Sequence, residues 1–243
     1  MEYRVSIAQR PDGSVEAWVV NLPGCRAAAG SRKDAMDLLP VVIGDHLAWL
    51  AGHGEPISHR EPSEIEVVET IEVPGDYLFA SDREAMTRAE LNAAVTQAGY
   101  AHADLMERLR TLPDVVLDWV PPASAVKIDR IFPDVRSMRD MLEHLVTAEA
   151  NFLIGSLVEE PVSGSLPLLG DLHEHTAKRL FVLPEESLGK VFTRVTARGE
   201  TQWTVRKSMR RTIFHKRFHT REIEQRLCWL TLGVPELLPQ NRE

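Results

Sequence analysis

Two histidines near the end of the chain, His215 and His219, lie four residues apart within WTVRKSMRRTIFHKRFHTREIEQRLCWL, Trp203 to Leu230. A helical period stacks both imidazoles on one face, and that face continues through Thr212, Phe218, Ile223 and Leu227, which predicts that it points inward. Two inward imidazoles one turn apart are half a metal site and need a third ligand from another helix. Lys216 stands where the zinc-peptidase HExxH helix carries its carboxylate, so that chemistry is excluded. A third ligand is available in RSMRDMLEHLVTAEANFL, where Met141, Leu145, Ala148 and Phe152 mark an apolar stripe on which His144 falls. A lone histidine on such a stripe is more often a packed core residue; paired with an HxxxH helix it becomes a candidate ligand.

The remaining chemistry-bearing residues read differently. Glu222 shares a side with His219 and is a candidate to orient that ligand or accept a proton, while an ordinary pairing with Arg226 competes. Asn151 follows His144 by seven residues on the same face. His173 and His175, two apart, diverge; His102, on a bundle-facing stripe, is expected as a packed core histidine and is only a minor candidate for a fourth ligand, and His46, His53 and His59 belong to the first part of the chain. Cys228 reads as a small buried hydrophobe.

Elements that present these residues follow from patterning. Tyr3, Val5 and Ile7 alternate, Pro11-Asp12-Gly13-Ser14 makes a turn, and Val15, Ala17 and Val19 alternate again. A third strand is expected over Cys25 to Ala29, then a helix opened by Ser31 and Asp34 and stopped by Gly52 and Gly54, then a strand from Ile65 to Val73. After Pro74-Gly75-Asp76, a capping box at Ser81 and Glu84 predicts a helix that Pro113 ends. Further helices are expected over Val135 to Leu157, Leu168 to Leu183 and the histidine stretch itself, with KVFTRVTARGETQWTV an extended hairpin before the last. The fold class is therefore an α+β unit, β-β-β-α-β, followed by an all-α, up-down-type four-helix bundle. The expected boundaries are 1–75 for the first domain, 76–86 for a linker and 87–243 for the bundle.

A length of 243 residues fits two domains, and 44% hydrophobic with 26% charged residues is ordinary globular composition. The net charge of −8 disfavours a nucleic-acid binder. Arg206, Lys207, Arg210, Arg211, Lys216, Arg217, Arg221 and Arg226 make the last helix strongly basic; such a face could grip nucleic-acid phosphate or the carboxylates of an anionic cofactor, but its ordinary account is the solvated side of a bundle helix. Two distant cysteines, Cys25 and Cys228, give no disulfide framework, which fits a reduced, cytoplasmic setting. Asp45 and His46 interrupt the longest apolar stretch, so no membrane span is expected.

Two resemblances add to this reading. YRVSIAQRPDGSVEAWVVNLPGCRAAAG and the helix after it, through Gly54 to Pro56, resemble the HicB-like family, with Leu22-Pro23-Gly24-Cys25 the most specific piece. That resemblance implies a non-catalytic unit that binds a protein partner. His144 within HLVTAEANF and the HxxxH within FHKRFHTREI resemble the DinB-like family of four-helix bundles, which includes thiol-dependent transferases. It implies that His144, His215 and His219 bind a divalent metal, and it departs from the common HxxxHRGQI pattern in having Glu222 for glutamine. Zinc suits imidazole ligands best, with nickel, manganese or iron compatible. The expected activity is thiol-dependent transfer or isomerisation, or metal-assisted hydrolysis, on a small-molecule substrate with a low-molecular-weight thiol as co-substrate. The rival is a non-enzymatic regulatory protein with a structural or vestigial metal; a homodimer is compatible with either.

Overall fold

The computed structural model describes residues 2–57, 64–121, 137–150, 157, 169–196 and 199–232. Asn151 and His59 lie outside the described residues.

The fold is mixed α+β, a four-stranded sheet with one helix followed by a helical region. Strands β1 (Glu2–Gln9), β2 (Val15–Val19), β3 (Arg26–Ala29) and β4 (Glu64–Glu72) stand in the order β3-β2-β1-β4. β1 and β2 form an antiparallel hairpin, whereas β4 pairs with β1 in parallel with one register shift between Val5 and Ser6. Helix α1 (Arg32–Gly52) crosses between β3 and β4, capped by the Ser31 hydroxyl, which accepts from the Asp34 backbone N–H at 3.1 Å. The strand alternation sends Tyr3, Val5, Ile7, Val15, Ala17 and Val19 to the α1 side, where they bury Leu39, Ile43 and Leu47.

By length and composition alone α1 is apolar enough to cross a membrane. Its buried residues, His46 and Leu50 included, pack as those of a core helix do.

The helical region contains α2 (Arg88–Leu109), a short α3 (Asp114–Leu117), α4 (Met138–Ala148), α5 (Leu169–Phe181), a hairpin of β5 (Phe192–Thr196) and β6 (Gly199–Trp203), and α6 (Val205–Leu232). α2 packs on α5 and α6, and α4 packs on the same two, so the four long helices close a ring. The start of α2 differs from expectation. Thr87 and Glu90 form the capping box, while Ser81 opens only a single 3-10 turn with no side-chain cap. Ser81 instead faces Ser6 across the sheet at 3.5 Å, and Asp82 is drawn inward to accept from the Phe79 N–H at 3.0 Å.

The larger departure concerns α6, whose cations do not form a solvated face. Lys207, Arg210, Lys216 and Arg226 are buried. Two coverings account for this: the second face of the sheet, carrying Ala8 and Trp18 with Tyr77 and Phe79, lies over α6 around Arg210 and Phe214, while Lys216 turns into the bundle against Glu149 and His173. Three of these cations meet carboxylates directly: Lys207 with Asp76 at 2.6 Å, Arg210 with Asp82 at 2.6 Å and Lys216 with Glu149 at 2.8 Å. Arg226 is buried within the fields of Glu222 and Asp140. Farther along, Arg217 bonds to His46 and stacks over Trp49 at 4.1 Å, and Arg221 pairs with Asp45.

The turn before β3 comes close to α6. Gly24 has φ +86°, and a Cβ placed there falls 2.8 Å from the Ile213 Cβ. Gly24→Ala therefore meets both a left-handed backbone and a steric collision. We expect a loss of about 2–4 kcal/mol, read as the shift in urea midpoint at unchanged slope. An Ile213→Ala partner change should return part of that loss, whereas equal stability of Gly24→Ala and the parent would refute the close packing.

Candidate metal centre

α4 and α6 carry the histidines. α4 opens on a complete capping box, Ser137 with Asp140, and buries Met141, Leu145 and Ala148, which leaves His144 on the inner edge of its amphipathic face. On α6, Met209, Ile213 and Ile223 are buried against the bundle, and His215 and His219 lie among them. The sequence pattern thus suffices to aim both helices at a common point.

At that point three ring nitrogens converge. His144 Nε2 is 3.0 Å from His215 Nε2, and His219 Nε2 is 3.1 Å from the same atom. One ring nitrogen from each of the three histidines lies within 4.8 Å of the other two. Ligand nitrogens about 2.0–2.1 Å from a tetrahedral ion stand roughly 3.3 Å apart, so the spacing fits three corners of such a shell. His219 is buried and the other two are half-buried, which leaves the group within reach of the surface.

Charge and tautomer favour the same arrangement. His215 is held well below its ordinary pKa by burial first, and then by the fields of His219, His144, Lys216 and Arg211. It is therefore neutral near pH 7, as a ligand must be. Glu222 Oε2 lies 2.6 Å from His219 Nδ1. A carboxylate only accepts, so the proton sits on Nδ1 and the Nε2 lone pair is free to face the other two rings. Such a carboxylate behind a ligating histidine fixes its orientation and raises its basicity. Glu222 thus sits behind the ring rather than among the three nitrogens. Glu222→Gln should weaken divalent-metal affinity about 10–100-fold, measured by competition with a chromogenic chelator; unchanged affinity would separate Glu222 from the site.

Other histidines fall elsewhere. His102 stacks on His173 at 4.3 Å and is pushed down to about 3, by burial first and then by Lys216 and His173. It is not part of the three-histidine group, so the fourth-ligand reading is corrected. Phe218, expected inward, is 42% exposed and stacks on Phe214. The helix turns it toward the rim, because the sheet claims the face that carries Phe214. Cys228 is exposed rather than buried, and Cys25 is the buried thiol.

Sequence reasoning missed a second polar cluster on the neighbouring face of α6. Glu149 accepts from Lys216 Nζ at 2.8 Å and from the Thr176 hydroxyl at 2.9 Å, while Lys216 also reaches His173 Nδ1 at 3.0 Å. Burial opposes ionisation of Glu149, yet Lys216 and His173 bring its pKa down to about 2. The one available signal was Lys216 sitting four residues beyond Thr212 on a helix whose neighbours are apolar.

The fold and site define a mixed α+β chain with three convergent imidazoles between two helices of a four-helix ring. Comparison with protein-family models finds no match, and neither the curated proteins nor the solved structures contain a match to this chain.

Proposed function

We propose that this chain is a metal-dependent enzyme of the DinB-like type, with His144, His215 and His219 as ligands to one divalent ion. The observation that carries this reading is the meeting of three Nε2 atoms, two of the spacings being 3.0 and 3.1 Å, from helices separated in sequence. Zinc is the first choice for an all-imidazole set, with nickel, manganese or iron as alternatives. A divalent ion there would supply Lewis acidity, or hold water or a thiol in its deprotonated form. The chain's own contribution is to keep His215 neutral by burial, to fix the His219 tautomer through Glu222, and to leave His144 and His215 half-open to a small substrate or low-molecular-weight thiol. Glu222, bound to the far nitrogen of His219, acts in this reading by orienting that ligand and accepting its Nδ1 proton rather than by meeting substrate.

In this reading residues 1–75 form a HicB-like unit, 76–86 a linker and 87–243 the DinB-like bundle, in a cytoplasmic protein. The first unit retains an edge for a protein partner, and a homodimer remains compatible.

Substitution with cobalt(II) tests whether the centre is open. Adding a simple thiol to the cobalt form should produce a sulfur-to-metal charge-transfer band, as expected of a three-histidine shell with an exchangeable position. A cobalt spectrum indifferent to thiol, cyanide and azide alike would mean a sealed, structural ion and the regulatory alternative.

A further inference from the structure

Away from the histidines, three arginines gather at the junction of the sheet with α6. Arg10 comes from the β1–β2 turn, Arg26 from β3 and Arg211 from α6. Between them sits Glu16, whose carboxylate resists ionisation through burial but is drawn down to about 2 by Arg26, Arg211, the Tyr77 hydroxyl and Arg10. All three arginines are thus close enough to act on one point.

Their hydrogen-bonding capacity is mostly unused. Arg10 Nη2 bonds to Glu16 at 3.1 Å, but Arg26 comes only within 3.9 Å of it, and Arg211 reaches Asp76 at 3.4 Å. Arg10 holds Glu16 Oε1, and Oε2 is taken by other groups, since Tyr77 donates to it and Trp18 Nε1 approaches it at 3.4 Å. Arg26 Nε and Arg211 Nε are buried and have no hydrogen-bond partner among the described residues. A buried charged donor left unpaired is costly, so two of them on arginines that surround the same Glu16 imply a missing acceptor.

Aromatic rings hold these groups in position. Arg26 Cζ lies 4.4 Å from the Phe214 centroid, and Arg211 Cζ lies 5.1 Å from that of Tyr77. Side-chain exposures of 29% for Arg10, 22% for Arg26 and 26% for Arg211 leave a route from solvent. The charges also fail to balance. Among the described residues the carboxylates paired with Arg10, Arg26, Lys207, Arg210 and Arg211 are Glu16, Asp76 and Asp82, an excess of two positive charges on a chain whose net charge is −8.

We propose that Arg10, Arg26 and Arg211 form a binding site for a phosphate-type dianion, either inorganic phosphate or the phosphate group of a small soluble ester. A tetrahedral dianion cancels the excess charge and accepts from several guanidinium donors at once, which a single carboxylate cannot do. Its occupancy ties β3 and the β1–β2 turn to α6, four residues before His215 on the arginine's own helix. The site stands on its own observations and does not depend on the metal reading.

Titration calorimetry of the full chain with inorganic phosphate and with glycerol phosphate, at constant ionic strength set by chloride, tests it. Saturable binding of one phosphate per chain is expected, and Arg26→Gln/Arg211→Gln should weaken it at least tenfold with far-UV circular dichroism unchanged. Should that double variant fail to fold, Arg10→Gln at the more exposed rim must weaken binding several-fold. Arg26→Lys, which keeps the charge and loses the planar fork, should fall between. Absence of saturable binding by the parent, or a folded double variant that binds as the parent does, overturns the proposal. Sedimentation with phosphatidic-acid vesicles in the absence of any binding of soluble phosphate overturns it too, in favour of a lipid surface.

Discussion

Zinc added in slight excess to chelator-stripped protein should raise its melting temperature by about 10 °C. An ion at about a thousand times its dissociation constant stabilises the folded state by about 4 kcal/mol, and each kcal/mol is worth roughly 2–4 °C at this chain length. The stabilisation is expected because the folded protein brings three nitrogen lone pairs together with no ion to hold them, an arrangement that a cation relieves and that an unfolded chain lacks. His215→Ala should abolish the effect, since His215 Nε2 is the atom from which both measured separations run, 3.0 Å to His144 and 3.1 Å to His219. The same variant without zinc should melt near the metal-free parent or slightly above it, because a buried imidazole crowded by two others and by Lys216 adds little stability. Zinc stabilisation should also fade as the medium is acidified, since protons compete for the same three nitrogens.

The second large effect concerns the ion pair joining the two parts of the chain. Asp82→Ala should cost about 3–5 kcal/mol, because it leaves Arg210 buried without its carboxylate. The geometry supports a value in that range: Arg210 Nε and Nη2 donate to the two Asp82 oxygens at 2.7 and 2.6 Å, and both residues are buried. Burial favours loss of the Arg210 proton, but the Asp82 field and hydrogen bonds outweigh it and raise its pKa above the ordinary value. The double variant Asp82→Ala/Arg210→Met should recover most of the loss, since the uncompensated charge leaves with its partner. Guanidinium melts read by both tryptophan fluorescence and circular dichroism would measure this. A double variant no more stable than Asp82→Ala alone would mean that the packing around Trp18 and Phe79, rather than the charge, sets the cost.

Much of the fold was legible because it rests on local periodicity. Alternation of Tyr3, Val5 and Ile7, the Ser31 cap and the β5–β6 hairpin all depend on neighbours a few residues away. The convergence of His144 with His215 and His219 was legible for a similar reason, since each lies on an apolar helical face whose direction is set by its own stripe. What patterning could not reveal was the partner of a charge. Lys207 and Asp76 are 131 positions apart, and Arg210 and Asp82 are 128 apart. A run of basic residues reads as solvated until the sheet is seen to cover it. The capping error has the same origin: Ser81 and Thr87 both precede a glutamate by three, and only the contact of Ser81 with Ser6 decides between them. Phe218 shows the limit of a helical wheel when two layers compete for one helix. Its neighbour Phe214 is held against Trp18 at 5.3 Å, and Phe218 is left at the rim.

The arrangement also has a consequence for stability of the site. Arg217 and Arg221, two residues on either side of His219, are held by His46 and Asp45 of α1. Helix α6 is therefore fixed on the sheet side by the first part of the chain and on the other by α2 and α4, with Lys216 reaching His173 of α5. That double packing restrains the rings before any ion arrives, which is what a tight site needs.

The most direct measurement is the metal content of the purified chain, by elemental analysis, beside that of a His144→Ala/His215→Ala/His219→Ala variant prepared identically. The account predicts close to one divalent ion per parent chain and essentially none in the variant, with both folded by circular dichroism. Equal metal in the two proteins, or a folded parent that takes up no divalent ion even when one is supplied in excess, contradicts it.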